Sequence, residues 1–88
     1  MNQEKKDAIK ALKISKGQIE AVIKMIEDER YCVDISNQII AAQSLLKKAN
    51  LLILREHLNH CVADAFRNES GEEKIDEIIG ILNKMGGK

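Results

Sequence analysis

Eighty-eight residues with no proline, and a single glycine (Gly17) before Gly71, leave room for one domain of a few unbroken helices and none for a second. Aromatic residues are reduced to Tyr31 and Phe66, which argues against a strand-rich fold, and no apolar run reaches membrane-spanning length. Fourteen basic residues cancel fourteen acidic ones, so total charge gives no pointer to a nucleic-acid partner.

The elements follow from periodicity. Over about residues 4–28, Ile9, Leu12, Ile19, Val22, Ile23 and Ile26 recur at helical spacing on one face, which predicts a first helix. The acidic run Glu27-Asp28-Glu29 and then Arg30-Tyr31 interrupts the pattern at a turn, and Asp34 or Ser36 is the expected cap of the next helix. Residues 33–67 contain neither glycine nor proline and set Ile39, Leu46 and Ile53 seven apart, with Ala42 and Ala49 between them. This predicts one long second helix, about 50 Å in length at the helical rise. Its other faces also carry Ile40, Leu45, Leu51, Leu52, Leu54 and Leu58, more apolar surface than a small three-helix unit can cover, so at least a dimer is expected. Asn68-Glu69-Ser70-Gly71 reads as a turn with a helix-stopping glycine. Ile75, Ile78, Ile79 and Leu82 then mark a short amphipathic helix over 72–85, and a frayed tail follows. The whole chain, 1–88, is expected to be one all-α domain.

Charge is unevenly placed. Residues 1–24 hold six lysines against three acids and residues 68–88 three lysines against five, so a basic first helix sits on a neutral chain. Two cysteines with no signal-like apolar N-terminus point to a reducing cytoplasm, where cysteines serve metal or redox chemistry more often than structural bridges.

The chemistry concentrates in three residues. His57 and Cys61 are four apart, one above the other on a helix face, and can share one ion. A His near a Cys on a helix is often incidental, but Cys32 stands at the start of the same helix, about 43 Å from Cys61 at helical rise. One chain cannot bring them together; two long helices paired antiparallel can, which gives two symmetry-related intersubunit sites. Two thiolates and one imidazole are soft and only three in number, which suits Cu(I) better than structural zinc. The helix N-terminus favours a thiolate at Cys32, readying it for metal or for oxidation. His60 points about 100° away from Cys61 and reads as a surface or supporting residue. Nickel or cobalt would call for more nitrogen ligands than two histidines provide.

With Gly17-Gln18-Ile19, Tyr31-Cys32-Val33-Asp34-Ile35, Ala41-Ala42-Gln43-Ser44 and His57-Leu58-Asn59-His60-Cys61 in place, nearly the whole sequence resembles the copper-sensitive operon repressor family of metal-sensing transcriptional repressors, in its copper-sensing branch. The most specific element is the spacing of Cys32, His57 and Cys61. The resemblance implies a three-helix protomer, an antiparallel dimer paired into a homotetramer, trigonal Cu(I) across the dimer interface, and weaker binding to double-stranded operator DNA once the metal is held, so that copper-resistance genes are derepressed. It further implies an outer shell in which a tyrosine before the first cysteine, here Tyr31, and a glutamate on the third helix, here Glu77, connect to the ligand histidine. Nickel and cobalt sensors of this kind carry an extra N-terminal histidine and a histidine for the last cysteine, and formaldehyde sensors lack that cysteine. Persulfide sensors keep both cysteines and lack the middle histidine, so His57 favours copper.

No helix-turn-helix is apparent and aromatics are too few for base stacking. The candidate DNA surface is Lys6, Lys10, Lys13 and Lys16 on the first helix with Lys47 and Lys48 on the second. Taken alone these read as an ordinary solvated face; the resemblance, with a family basic position falling on Lys48, turns the preference toward DNA. One position where relatives use arginine falls on Ala11. The alternatives are a persulfide or thiol sensor bridging Cys32 and Cys61 of facing chains, and a helical scaffold that binds no DNA. No acid–base pair or phosphate loop accompanies the cysteines, so neither an enzyme, a small-molecule substrate nor a membrane role is expected.

Overall fold

In the computed structural model the chain forms α1 (Gln3–Glu27), α2 (Cys32–Arg67) and α3 (Gly71–Met85). The structure describes residues 1–67 and 71–86, apart from the side chains at 61, 65 and 66. The Asn68-Glu69-Ser70 turn and the end of the tail therefore lie outside the described residues.

Each helix end has a local cause. The Asn2 side chain accepts a hydrogen bond from the Lys5 backbone N–H (2.9 Å), capping α1, and Glu4 in the first turn complements the helix dipole. At the other end Arg30 N–H donates to Met25 O and Glu29 N–H to Ile26 O, both at 3.0 Å, a Schellman closure. Glu29 occupies its left-handed position at φ 56°, where glycine is usual. The chain reverses in four residues and re-enters a helix when Ile35 N–H donates to Tyr31 O (3.1 Å). Helix α2 thus begins before both expected caps. Asp34 lies in its first turn, helping the dipole, and Ser36 lies inside it. Gly71, expected to stop a helix, instead opens α3 and is buried there, because α2 ends without it at Arg67.

Helix α1 packs antiparallel on the first part of α2 through small residues. Ala8, Ala11 and Ala49 are buried together, with Leu45 and Leu52 against them. Ser15, 1% exposed, donates its hydroxyl to Ala42 O (3.4 Å). Alanine and serine let the two backbones approach closely. Of the six apolar residues that marked the first helix, only Val22 is buried; Ile9, Leu12, Ile19, Ile23 and Ile26 remain exposed. Helix α3 returns along the last part of α2, Ile78 meeting Leu54 with Met85 beside them.

The three helices lie side by side in one layer. The molecule measures 56 × 31 × 12 Å, its thickness that of a single helix. Its radius of gyration is 17.1 Å, against about 12 Å for a compact domain of this length. Its accessible surface is 6805 Å², against about 5,200 Å² for a compact monomer of its mass. Both flat faces are open, and no helix among the described residues is long and apolar enough to cross a membrane.

Candidate metal centre

Helix α2 carries the three sulfur and nitrogen candidates and keeps them apart. Cys32, its first residue, is a free and exposed cysteine. His57 and Cys61 lie toward the other end, 25 and 29 residues on. Among the described residues, no three of His, Cys, Asp and Glu gather into a group that could hold a metal. What Cys32 and His57 share is a face. Cys32, Ile39, Leu46 and Ile53 follow one another at seven-residue intervals, drifting only ~20° per step around the helix, and His57 continues the stripe. Ile39, Leu46 and Ile53 are 41%, 42% and 43% exposed. Beside them Ile19, Val22 and Ile23 of α1 line a shallow apolar groove with Ile39, Ala42, Gln43 and Leu46. Cysteine and histidine therefore stand at opposite ends of an uncovered apolar stripe on one flat face.

Helix α3 supports the histidine end. Glu77 Oε2 lies 3.7 Å from His57 Nε2, so the Nε2 edge of the ring faces α3 and the Nδ1 edge lies on its far side. Lys74 pairs with Asp64, tying α3 to α2 a second time. The Lys74 hydrogen bond is the main reason the Asp64 carboxyl is held below its ordinary range; partial burial opposes this, and the charges of Lys74, Arg67 and His60 reinforce it. Tyr31 is exposed beside Cys32, at the far end of α2 from its own chain's His57. His60 does not join His57. Its Nε2 lies 2.6 Å from Oε1 of Glu56, a carboxylate with only 8% of the residue exposed. Glu56 was not legible as a participant from sequence.

Lys6, Lys10, Lys13, Lys16, Lys47 and Lys48 are all exposed. Lys10 of α1 and Lys48 of α2 line one groove of about 300 Å³ with Asp7, Ala11, Ile14, Leu45 and Leu52. Lys47, Lys48 and Arg55 line an adjoining one of about 410 Å³ with Ser44, Leu51 and Leu52. Arg55 joins the cationic cluster although sequence reasoning passed it over; its spacing of seven from Lys48 was the available signal. Lys6 and Lys13 project from the side of α1 away from α2, since they lie roughly opposite Ala8, Ala11 and Ser15 on the helical wheel. Ala11 is 4% exposed, so this α1 position faces the α1–α2 contact rather than a ligand.

The donors fit a soft, low-coordinate metal ion. Two thiols and one imidazole are soft ligands, a carboxylate faces the imidazole, and an acidic oxygen cluster of the kind hard cations need is absent among the described residues.

Comparison with known proteins points to metal sensing as well. The family model for metal-sensitive transcriptional repressors matches residues 4–84. The copper-sensing transcriptional repressor CsoR of Bacillus subtilis is 40% identical over 96% of this chain and 83% of its own length. The protein of that name from Mycobacterium ulcerans is 37% identical over 90% of this chain and 68% of its own. Among solved structures, the Cu(I)-bound copper-sensing repressor CsoR of Geobacillus thermodenitrificans superposes with a TM-score of 0.81 at 40% identity, over 98% of this chain and 90% of that one. The chain belongs to the family of metal-sensitive transcriptional repressors.

Proposed function

We propose that the protein is a Cu(I)-responsive repressor: the metal-free form holds operator DNA, and binding of Cu(I) by Cys32 of one chain with His57 and Cys61 of its partner releases it. The observation that carries this reading is the stripe on α2, with a thiol at one end, an imidazole faced by Glu77 near the other, and exposed Ile39, Leu46 and Ile53 between them. Two such stripes packed antiparallel, with Cys32 opposite the partner's Cys61, place the two-fold axis midway between positions 32 and 61, beside Leu46. In that register Gln43 faces the partner's Asn50, so the same stripe supplies matching amides on either side of the axis. The relatives in which copper sensing is named share this chain over most of its length.

Surface area supports assembly. The chain exposes about 1,600 Å² more than a compact monomer of its mass would. That is roughly twice the ~800 Å² that one partner contributes to a standard interface, enough for a dimer face and for a second contact that builds a tetramer.

When bound, Cu(I) would bridge two chains through soft ligands at a coordination number of three. The protein's part is to present those ligands and to transmit their closure. Cys32 sits one residue from the α1–α2 turn, so drawing it toward the partner shifts the start of α2 relative to α1. Lys10 on α1 and Lys47, Lys48 and Arg55 on α2 then change their spacing against DNA phosphates. At the other end, a change in the His57 ring is felt by Glu77 and hence by α3. The coupling is reciprocal: whatever factor copper takes from DNA affinity, DNA takes from copper affinity, typically about 5- to 150-fold.

The test is operator affinity with and without Cu(I), anaerobically, for wild type and His57→Ala. Loss of the copper response in His57→Ala with operator binding retained supports the reading. A full copper response in that variant overturns the three-ligand reading, because the two thiols would then suffice for Cu(I).

A further inference from the structure

The chain contains a fourth soft donor that the copper site does not use. His60 is three residues from His57, neighbours on a helix surface, and adjacent to Cys61. Cys32, His57, His60 and Cys61 together would make a two-cysteine, two-histidine set, the ligation that tetrahedral zinc takes in structural sites. A copper sensor built on these residues therefore needs something to keep His60 out.

We infer that Glu56 is a positioning residue that withholds His60 from the metal centre and so keeps the site at the three ligands that favour Cu(I) over Zn(II). The inference rests on the copper reading above. Around α2, Cys61 lies about 40° to one side of His57, whereas His60 lies about 60° and Glu56 about 100° to the other. A bond between His60 and Glu56 thus turns the imidazole away from Cys61. The bond is short, 2.6 Å from Nε2 to Oε1, and the carboxylate it reaches is almost wholly buried while the His60 ring is 68% exposed. Among the described residues His60 is the only partner of that carboxylate. Swinging His60 into the metal site would leave a buried carboxyl group without its partner, a larger penalty than that of separating an exposed pair. The two histidines are thereby sorted by their carboxylates. Glu77, on α3, faces His57 from 3.7 Å and leaves it free to act as a ligand; Glu56, buried on α2, holds His60 at 2.6 Å and removes it.

The test compares wild type, Glu56→Leu, His60→Asn and the double variant Glu56→Leu/His60→Asn in anaerobic competition titrations with Cu(I), Zn(II) and Co(II). Co(II) absorption serves to count ligands, and ring-nitrogen NMR of the metal-free protein reports on His60. Glu56→Leu is expected to change the ring-nitrogen shifts of His60 and to bind Zn(II) roughly ten- to hundredfold more tightly, the range over which partners behind metal ligands shift affinity. Its Co(II) spectrum should gain four-coordinate intensity, with Cu(I) affinity unchanged. The double variant should return to wild-type values, and His60→Asn alone should leave all three metals as in wild type. Unchanged Zn(II) affinity in Glu56→Leu, or a gain that survives in the double variant, overturns the inference. So does a loss of metal in His60→Asn, which would make His60 a ligand already and which needs no change at the buried position. The Cu(I) arm on wild type reports on the underlying site alone: without two-sulfur, one-nitrogen binding there, the copper reading falls and this inference with it.

Discussion

Replacing Leu46 with lysine should take the dimer apart. Leu46 keeps 42% of its surface exposed in the single chain. Complete burial of a leucine side chain is worth about 1.5–3 kcal/mol, so covering the remaining two-fifths contributes about 0.6–1.2 kcal/mol per chain. Leu46 lies beside the proposed two-fold axis and is counted twice, giving about 1–2.5 kcal/mol per dimer. Two lysine ammonium groups about 8 Å apart across that axis add about 2 kcal/mol of repulsion at an effective dielectric of 20. The total, about 3–4.5 kcal/mol, corresponds to a rise of roughly two to three orders of magnitude in the dimer dissociation constant. If the long lysine stems carry their charges out to solvent, the burial term alone still gives about tenfold. Sedimentation velocity over a dilution series reads this directly. Leu51→Lys is the control: Leu51 is also 42% exposed but sits among Lys47, Lys48 and Arg55, and its replacement should leave the dimer intact. Dissociation by Leu51→Lys with none by Leu46→Lys would refute the stripe as the dimer seam.

Three further outcomes follow from the geometry. Ala49→Leu should destabilise the fold by about 1–3 kcal/mol in urea unfolding, because the α1–α2 contact is built on alanines with no room for added methylenes. Lys48→Ala and Arg55→Ala should each weaken operator binding across DNA sequences and lower the slope of log affinity against log salt by about one for each phosphate left without its cation, measured by fluorescence anisotropy. Asp64, whose carboxyl is held below its ordinary value of 3.8 by Lys74, contributes stability that is fully present above that value and lost as pH falls through the lowered one. Thermal melts of wild type and Asp64→Asn should therefore differ by a constant amount from pH 7 down to about 4.5 and converge only in stronger acid; convergence near neutral pH would contradict the Lys74 pairing.

The helices were legible because little in the chain competes with them. Without proline, and with a single early glycine, periodicity alone brought each boundary to within a residue or so of Gln3–Glu27, Cys32–Arg67 and Gly71–Met85. What periodicity could not convey is which partner an apolar face meets. Ile9, Leu12, Ile19 and Ile23 share a face, yet within one chain the contact falls to Ala8, Ala11 and Ser15. Small residues permit close helix approach and carry a weak hydrophobic signal, whereas the larger isoleucines stay exposed. At the site, the spacing of Cys32, His57 and Cys61 spoke through chemistry, since 29 residues of helix between two thiols force an intersubunit reading. Glu56 and Arg55 carried no such mark. A glutamate four before a histidine resembles any solvated helix pair until its burial is seen, and Arg55, seven residues from Lys48, gains meaning where it lines one groove with Lys47 and Lys48.

The central claim, that each metal site takes one thiol from one chain and a histidine and thiol from another, is tested most directly by mixing defective chains. Cys32→Ala and Cys61→Ala homodimers each lack a ligand in both sites. In a mixed dimer, Cys32 of the Cys61→Ala chain meets intact His57 and Cys61 of the Cys32→Ala chain, so one complete site is restored per dimer. Anaerobic Cu(I) titration with X-ray absorption on the mixture should recover one ion per mixed dimer, bound by two sulfurs and one nitrogen. A mixture that binds no better than its two parents would place the ligands within single chains and contradict the account.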